Sequence, residues 1–271
     1  MPRRILLAVA LTATLVAACG TPTAPALTDP KDILVHAVSS LQTLKTVHLK
    51  AALAGKVDAG LITGKPSGAL IDLAGSTVEG DIDLAGGEAK LSGSVPALLG
   101  LSADLVVDGG VIYVRTSLTG PQFQKVDLTA LTGVRPVPSL PAASPDPSAV
   151  ADMLTRLKTE LDKLPAPVKL ADDKIGDQEC YHVQEKLAST DVPQLGAFLG
   201  TASGTLTIDV WTRKSDYRPA RIAFAVDGGA QGVVTITLDL SGYDAPVTIA
   251  PPPADQISNQ PFTMPGIPTF P

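Results

Sequence analysis

Residues 101–114 read LSADLVVDGGVIYV, and this stretch decides the fold that we expect for the chain. Every second residue of 101–107 is apolar, and Ser102 and Asp104 lie between them. A period of two is typical of a β-strand with one apolar face and one solvated face. The Asp-Gly-Gly triplet that follows favours a tight turn into a second strand. The stretch therefore predicts an antiparallel hairpin.

The same alternation recurs along much of the chain. It is present at 47–53, 78–84, 89–95, 206–210, 222–226 and 234–240. Helical periodicity precedes the first of these segments, where Asp29 can cap a first helix that begins at Pro30, and it returns between residues 114 and 206. Asp146 and Pro147 repeat this device for a second main helix that ends before Pro165. About ten or eleven strands with two main helices predict an α+β fold, in which a single long antiparallel sheet curls over the helices.

The composition narrows the classes of function. The chain has 271 residues, of which 45% are apolar and 4% aromatic, and its net charge is −6. This apolar fraction excludes disorder along the whole chain, and the negative charge argues against binding to nucleic acid. Aromatic rings usually supply much of the buried area of a core, so an aromatic content of 4% is unusually low for a domain of this size.

Residues 1–18 have the pattern of a lipoprotein signal peptide. Arg3 and Arg4 precede a short apolar run that ends in small residues. The sequence VAACG at 16–20 resembles a bacterial lipobox, in which Cys19 receives diacylglycerol and becomes the mature N-terminus. An ordinary signal peptide with an incidental cysteine is the alternative interpretation.

The rest of the chain is expected to divide into three parts. A lipidated tether occupies 19–28, a single domain occupies 29–250, and a Pro-rich tail occupies 251–271. The acylated Cys19 places the protein at the cell membrane, anchored by lipid (with palmitate among the expected acyl chains) on its extracytoplasmic face.

No group of residues supports a catalytic site. Cys180 is the only cysteine besides Cys19, and we expect a buried free thiol there. Cys180 and His182 share one strand face, but no second cluster completes the four ligands of a zinc site. We therefore expect no enzyme activity, no metal and no cofactor. Strict alternation also places Trp211 with Asp209, away from the apolar face.

The order of the elements resembles a known family. The segments that carry the resemblance are the lipobox at 16–20, the capped helix, TVHL at 46–49, GGVIYV at 109–114, LTIDVW at 206–211, YRP at 217–219 and APVT at 245–248. Together they are similar to the actinobacterial LppX/LprA/LprF/LprG lipoproteins, whose fold is similar to that of the LolA/LolB lipoprotein carriers. The resemblance covers roughly 19–250 and departs at the Pro-rich loop 134–147 and in the tail.

The resemblance implies a β half-barrel over helices, with an apolar cavity that holds lipid acyl chains. It implies a function in carrying or presenting lipids or glycolipids in the cell envelope, and it carries over no catalytic residue. The expected partners are a lipid or glycolipid ligand, the membrane through Cys19, and a membrane transporter or another envelope carrier. The alternative is a lipid-anchored envelope scaffold or adaptor that binds other proteins without a lipid cargo.

The candidate lining residues are the aliphatic or aromatic members of the apolar strand faces and of the second helix. They are Leu49, Leu53, Ile82, Leu91, Leu105, Ile112, Leu206, Ile208, Ile222, Phe224 and Ile236 on strands, with Leu154 and Leu157 on the helix. Acyl chains need such aliphatic surroundings, shielded from water.

Overall fold

The computed structural model describes residues 26–59, 68–126, 152, 155, 159, 166–188 and 204–260. Within them, the delimited elements are α1 (Pro30–Ser40), β1 (Thr46–Asp58), β2 (Leu70–Asp72), β3 (Ser76–Asp83), β4 (Glu88–Val95), β5 (Leu101–Asp108), β6 (Val111–Thr116), β7 (Gln124–Val126), β8 (Val168–Lys169), β9 (Asp173–Ile175), β10 (Gln178–Ala188), β11 (Thr205–Arg213), β12 (Pro219–Asp227) and β13 (Gly232–Ser241). Short 3₁₀ turns lie at Gly229–Gln231 and Ala254–Gln256.

All thirteen of these strands belong to one antiparallel sheet. The strand order is β7-β6-β5-β4-β3-β1-β13-β12-β11-β10-β8, while β2 pairs with β1 and β9 pairs with β10. β1 and β13 are therefore neighbours in the middle of the sheet. The strands β3 to β7 lie on the β1 side, and the strands β12, β11, β10 and β8 lie on the β13 side. This open, curled antiparallel sheet is the architecture that the alternating sequence predicts.

The register sorts the side chains onto two different faces. Leu49 on β1 pairs with Leu240 of β13 on one side and with Gly80 of β3 on the other. The next residue, Lys50, points the opposite way and pairs with Asp239. We call the face that carries Leu49 the inner face and the face that carries Lys50 the outer face.

Glycines allow the backbones to approach closely on the inner face. A Cβ atom on Gly80 would overlap the backbone carbonyl oxygen of Lys90 on the neighbouring strand β4. Gly55 on β1 has a φ of +103°, which side-chain-bearing residues rarely adopt. Glycine in a strand interior is typical of such bends and close approaches, so both positions favour a curled sheet over a flat one.

Helix α1 begins as the sequence predicts. Asp29 Oδ1 accepts hydrogen bonds from the backbone N–H groups of Lys31 at 2.7 Å and Asp32 at 3.3 Å, and Pro30 occupies the first turn. The cap and the start of the helix are thus confirmed. The side chain of Ile33 is 0% exposed, and its burial contributes roughly 1.5–3 kcal/mol.

The helix packs on the inner face at one end of the sheet. Ile33 and Leu34 contact Tyr181 and Val183 of β10, and these four residues form a buried apolar cluster. Because Tyr181 and Val183 alternate with outward-pointing residues, their contacts with α1 identify the inner face on β10.

A second buried cluster lies on the outer face at the other end of the sheet. Val106, Tyr113 and Phe123 form it, and Ile249 and Ile257 from the chain after β13 pack against it. The backbone N–H of Phe123 donates to the carbonyl oxygen of residue 256 at 2.8 Å, and Phe123 accepts at 2.7 Å from the N–H of residue 258. The described part of the Pro-rich tail, 251–260, therefore contacts the sheet.

The structure differs from the sequence-based prediction in the number of strands and in the number of helices. The sheet has thirteen strands in the described residues rather than ten or eleven, because β2, β7, β8 and β9 are only two or three residues long and carry no readable alternation. Of the second main helix, three positions are described, and all are helical and exposed: Asp152, Thr155 and Thr159. Its remainder and the loop 134–147 lie outside the described residues, so one helix is delimited and the second stays a prediction.

Candidate functional site

The inner face carries the residues that the sequence marks as ligand lining. All eleven strand candidates lie on it by register: Leu49, Leu53, Ile82, Leu91, Leu105, Ile112, Leu206, Ile208, Ile222, Phe224 and Ile236. Each is half-buried, whereas large aliphatic residues in a close-packed core are buried completely. The inner face therefore keeps accessible apolar surface. Leu154, Leu157 and Cys19 lie outside the described residues.

Four of these side chains form a row across adjacent strands. Ile208 of β11 pairs with Phe224 of β12, which pairs with Ile236 of β13, which pairs with Leu53 of β1. With strands about 4.8 Å apart, the row spans roughly 14 Å. We call it the apolar row.

Small residues lie beside the apolar row. Ala51 of β1 pairs with Val78, Val78 pairs with Gly93, and Gly93 pairs with Ala103 of β5. All four lie on the inner face because they share the register of the lining residues. Three of the four are alanine or glycine, and a Cβ atom on Gly93 would lie only 2.9 Å from the backbone carbonyl oxygen of Thr77, so the small residues allow the strands to approach closely here.

Buried polar groups lie at the two ends of the apolar row. Glu185 of β10 pairs with Ile208, and Ser76 of β3 pairs with Leu53. Glu185 is 6% exposed and Ser76 is 1% exposed. Neither Glu185 Oε2 nor Ser76 Oγ has a hydrogen-bond partner, although most buried polar atoms in proteins do.

The environment of Glu185 disfavours its charged form. Burial raises the pKa of the Glu185 carboxyl, and the positive charge of Lys31 on α1 partly opposes this rise. Glu185 is not among the candidate lining residues that the sequence pattern indicates. The sequence pattern could have indicated that Glu185 is buried. In the alternation of Tyr181, Val183, Glu185 and Leu187, the glutamate occupies a position that is otherwise apolar.

The outer face has the opposite chemical character. Arg115 pairs with Asp104 at 2.9 Å, and Lys50 lies 3.6 Å from Glu79. His48 Nδ1 lies 2.8 Å from an aspartate carboxylate oxygen on β3. These exposed and half-exposed ion pairs are worth little individually, but they mark a solvated surface.

Trp211 lies on the outer face, as the alternation predicts. It pairs with His182 of β10, and the two rings stack with centroids 4.2 Å apart. His182 Nε2 lies 2.8 Å from Asp209 Oδ1, which also accepts a hydrogen bond from Gln184 at 2.9 Å. The tryptophan is therefore part of a polar outer-face cluster and does not face the apolar row.

Cys180 is a buried free thiol, as expected. Burial raises the pKa of the Cys180 thiol, which lowers the fraction of reactive thiolate. Among the residues that the structure describes, no three His, Cys, Asp or Glu side chains are grouped closely enough to hold a metal ion. Within the same residues, no helix combines the length and the apolar character needed to cross a membrane.

Comparison with known proteins identifies the fold. No family model and no curated protein sequence matches the chain. Among solved structures, the lipoprotein LppX of Mycobacterium tuberculosis is similar with a TM-score of 0.51 and 16% identity, covering 82% of this chain and 98% of LppX. LprF from Mycobacterium bovis is similar with a TM-score of 0.52 and 18% identity, covering 82% of this chain and 96% of LprF. The chain therefore has the fold of the mycobacterial lipoproteins LppX and LprF, as its sequence resemblance implies.

Proposed function

We propose that this protein binds the acyl chains of a lipid or glycolipid on the inner face of its sheet and carries or presents them in the cell envelope. One observation carries the proposal. The eleven large apolar residues selected from the sequence share one face, and each remains half-buried. A face of this kind gains free energy when an apolar ligand removes it from water.

The magnitude of that gain is sufficient for carrier function. Burial of a methylene group contributes about 0.8 kcal/mol, so ten buried methylenes contribute about 8 kcal/mol. Before the cost of ordering the ligand, this corresponds to a dissociation constant of about 1 μM. Such an affinity holds a lipid against water yet allows its release to a membrane or to another carrier.

The second part of the proposal is the anchor. Cys19, acylated after removal of 1–18, would attach the domain to the extracytoplasmic face of the cell membrane. Cys19 precedes the start of α1 at Pro30 by eleven residues (30 − 19 = 11), and this segment reaches at most about 40 Å when extended. The domain would thus stay close to the bilayer, where it can exchange lipid with a membrane transporter or another envelope carrier.

Native mass spectrometry tests the lipid cargo. A full-length Cys19→Ser variant, which cannot be acylated, would be purified under mild conditions and sprayed without denaturation. We expect a bound mass that organic extraction identifies as lipid, or uptake of lipid from added vesicles. A protein that contains no lipid and takes none up would contradict the proposal and favour the scaffold or adaptor alternative.

A further inference from the structure

The strongest unexplained feature of the inner face is the buried carboxylate at the end of the apolar row. Glu185 pairs with Ile208 on the same face as Val183, so its side chain points toward the surface proposed to hold lipid. It is 6% exposed, and its Oε2 atom has no hydrogen-bond partner. A buried acceptor without a donor costs folding free energy, and an apolar residue of similar size would avoid that cost.

The nearest identified charge does not satisfy this atom. The charge of Lys31 on α1 acts on Glu185, yet Lys31 makes no hydrogen bond to Oε2. The hydroxyl of Ser76 cannot reach it, because Ser76 and Glu185 lie at opposite ends of the apolar row, roughly 24 Å apart along the sheet.

The chemistry of the carboxyl group limits which hydrogen-bond donor can be the partner of Glu185. An ionised carboxylate only accepts hydrogen bonds, and a protonated carboxyl still has an acceptor oxygen. A hydroxyl group can therefore donate to Glu185 in either protonation state. A phosphate diester has no proton to donate and carries a negative charge that an ionised Glu185 repels, while an ammonium group would add a second positive charge beside Lys31.

We infer that Glu185 accepts a hydrogen bond from an uncharged hydroxyl group of the bound lipid, so that the cargo is an acyl lipid with a free hydroxyl beside its acyl chains. This inference rests on the proposed function. The apolar row binds the chains, and Glu185 at its end selects among lipids with the same chains by their polar part. Glu185 is thus a specificity residue. It provides a selectivity for the polar part of the lipid that the acyl-chain surface alone does not provide.

A pair of matched probes tests the inference. 1,2-Dioleoylglycerol has one free hydroxyl, and its 3-O-methyl ether has the same chains without that donor. We expect the wild-type protein to bind dioleoylglycerol about three- to tenfold more tightly than the ether, the range for one net hydrogen bond. Binding is measured by displacement of a fluorescent fatty acid from the full chain.

Three variants assign the effect to this side chain. Glu185→Leu should bind the two probes equally and bind the ether at least as well as the wild type does. Glu185→Gln keeps a carbonyl oxygen acceptor and should retain the preference for dioleoylglycerol. Glu179→Leu makes the same chemical change at an exposed position of β10 and should behave as the wild type does.

The outcomes separate this inference from the proposed function. If the wild type binds both probes equally, or if Glu185→Leu keeps the preference, the assignment to Glu185 is overturned while lipid binding stands. If the wild type binds neither of these probes nor any vesicle lipid, lipid binding itself is overturned, and the assignment falls with it. The comparison of the two probes on the wild type needs no variant to fold.

Discussion

The imidazole of His182 stacks on the indole of Trp211, with their planes 17° from parallel. Both residues lie on the outer face, on adjacent strands, and Trp211 is the only tryptophan in the chain. Its fluorescence therefore reports on the surface opposite the apolar row, so that the two faces of the sheet can be monitored separately.

The first prediction uses this separation. Lipid bound at the inner face should leave the emission maximum of Trp211 unchanged, because the backbone of the sheet lies between them. In a Trp211→Phe background, Phe224→Trp places the reporter in the apolar row, and lipid should then shift its emission to shorter wavelength. A lipid-dependent blue shift in the wild-type protein would contradict the assignment of the faces.

The second prediction concerns a bulky side chain placed on the inner face. Ala103→Trp puts an indole over the line of small residues, so lipid uptake should fall at least tenfold while the circular dichroism spectrum stays that of the wild type. Ser102→Trp is the matched control, because Ser102 is the adjacent residue, is exposed and points to the outer face. Equal lipid uptake by both variants would argue against binding on the inner face.

The third prediction concerns the pH dependence of stability. Because the folded state raises the pKa of Glu185 above its usual value, the folded chain holds this proton more tightly than the unfolded chain does. The contribution of Glu185 to stability is therefore lost as pH rises from its ordinary pKa of about 4.5 through the raised value. Ligand-free Glu185→Leu should be more stable than the wild type by about 1–3 kcal/mol at pH 7, and the difference should shrink toward pH 4.

Urea denaturation of both proteins between pH 4 and pH 8 measures this difference. Lys31 is the charged group that opposes the shift, so Lys31→Met should enlarge the gain from Glu185→Leu. A gain that is constant over this pH range would show that Glu185 does not titrate differently in the folded and unfolded states.

The fourth prediction tests the helix cap. Asp29→Ala removes the acceptor for two N–H groups of the first turn and should lower the free energy of unfolding by about 1 kcal/mol. Asp32→Ala, in the same turn, removes a charge without removing the cap and should cost less. Equal losses would mean that the charge, and not the cap, stabilises the start of α1.

The fifth prediction concerns the chain after β13. Phe123 is 7% exposed and holds Ile257 against the outer face, so Phe123→Ala should cost about 3–5 kcal/mol. Amide hydrogen exchange at 256–258 should also become faster. Leu118, in the same connection between β6 and β7, is 60% exposed, and Leu118→Ala should change stability by about 0.5 kcal/mol or less.

The faces of the strands were predictable because side-chain direction is a local property. Alternation alone placed Leu49 and Phe224 on the inner face and Trp211 on the outer face, and the register confirms all three positions. The start of α1 was predictable for a similar reason, since a cap and a proline act within a few residues.

The neighbours of each strand were not predictable in the same way. β1 and β13 have the same alternation as the other strands, and no residue pattern within either segment indicates that they pair with each other. Glu185 escaped notice because a glutamate in a strand is usually solvated, and its burial depends on packing that the local sequence does not encode.

The pairing of β1 with β13 has a consequence for the order in which the protein can fold. Ten residues of β1, from His48 to Val57, have partners in β13, which is the last of the described strands to leave the ribosome. Until it emerges, β1 is an unprotected edge, and the two halves of the sheet cannot join. Nascent chains stopped before Gly232 should therefore remain sensitive to protease and acquire resistance only when β13 is complete.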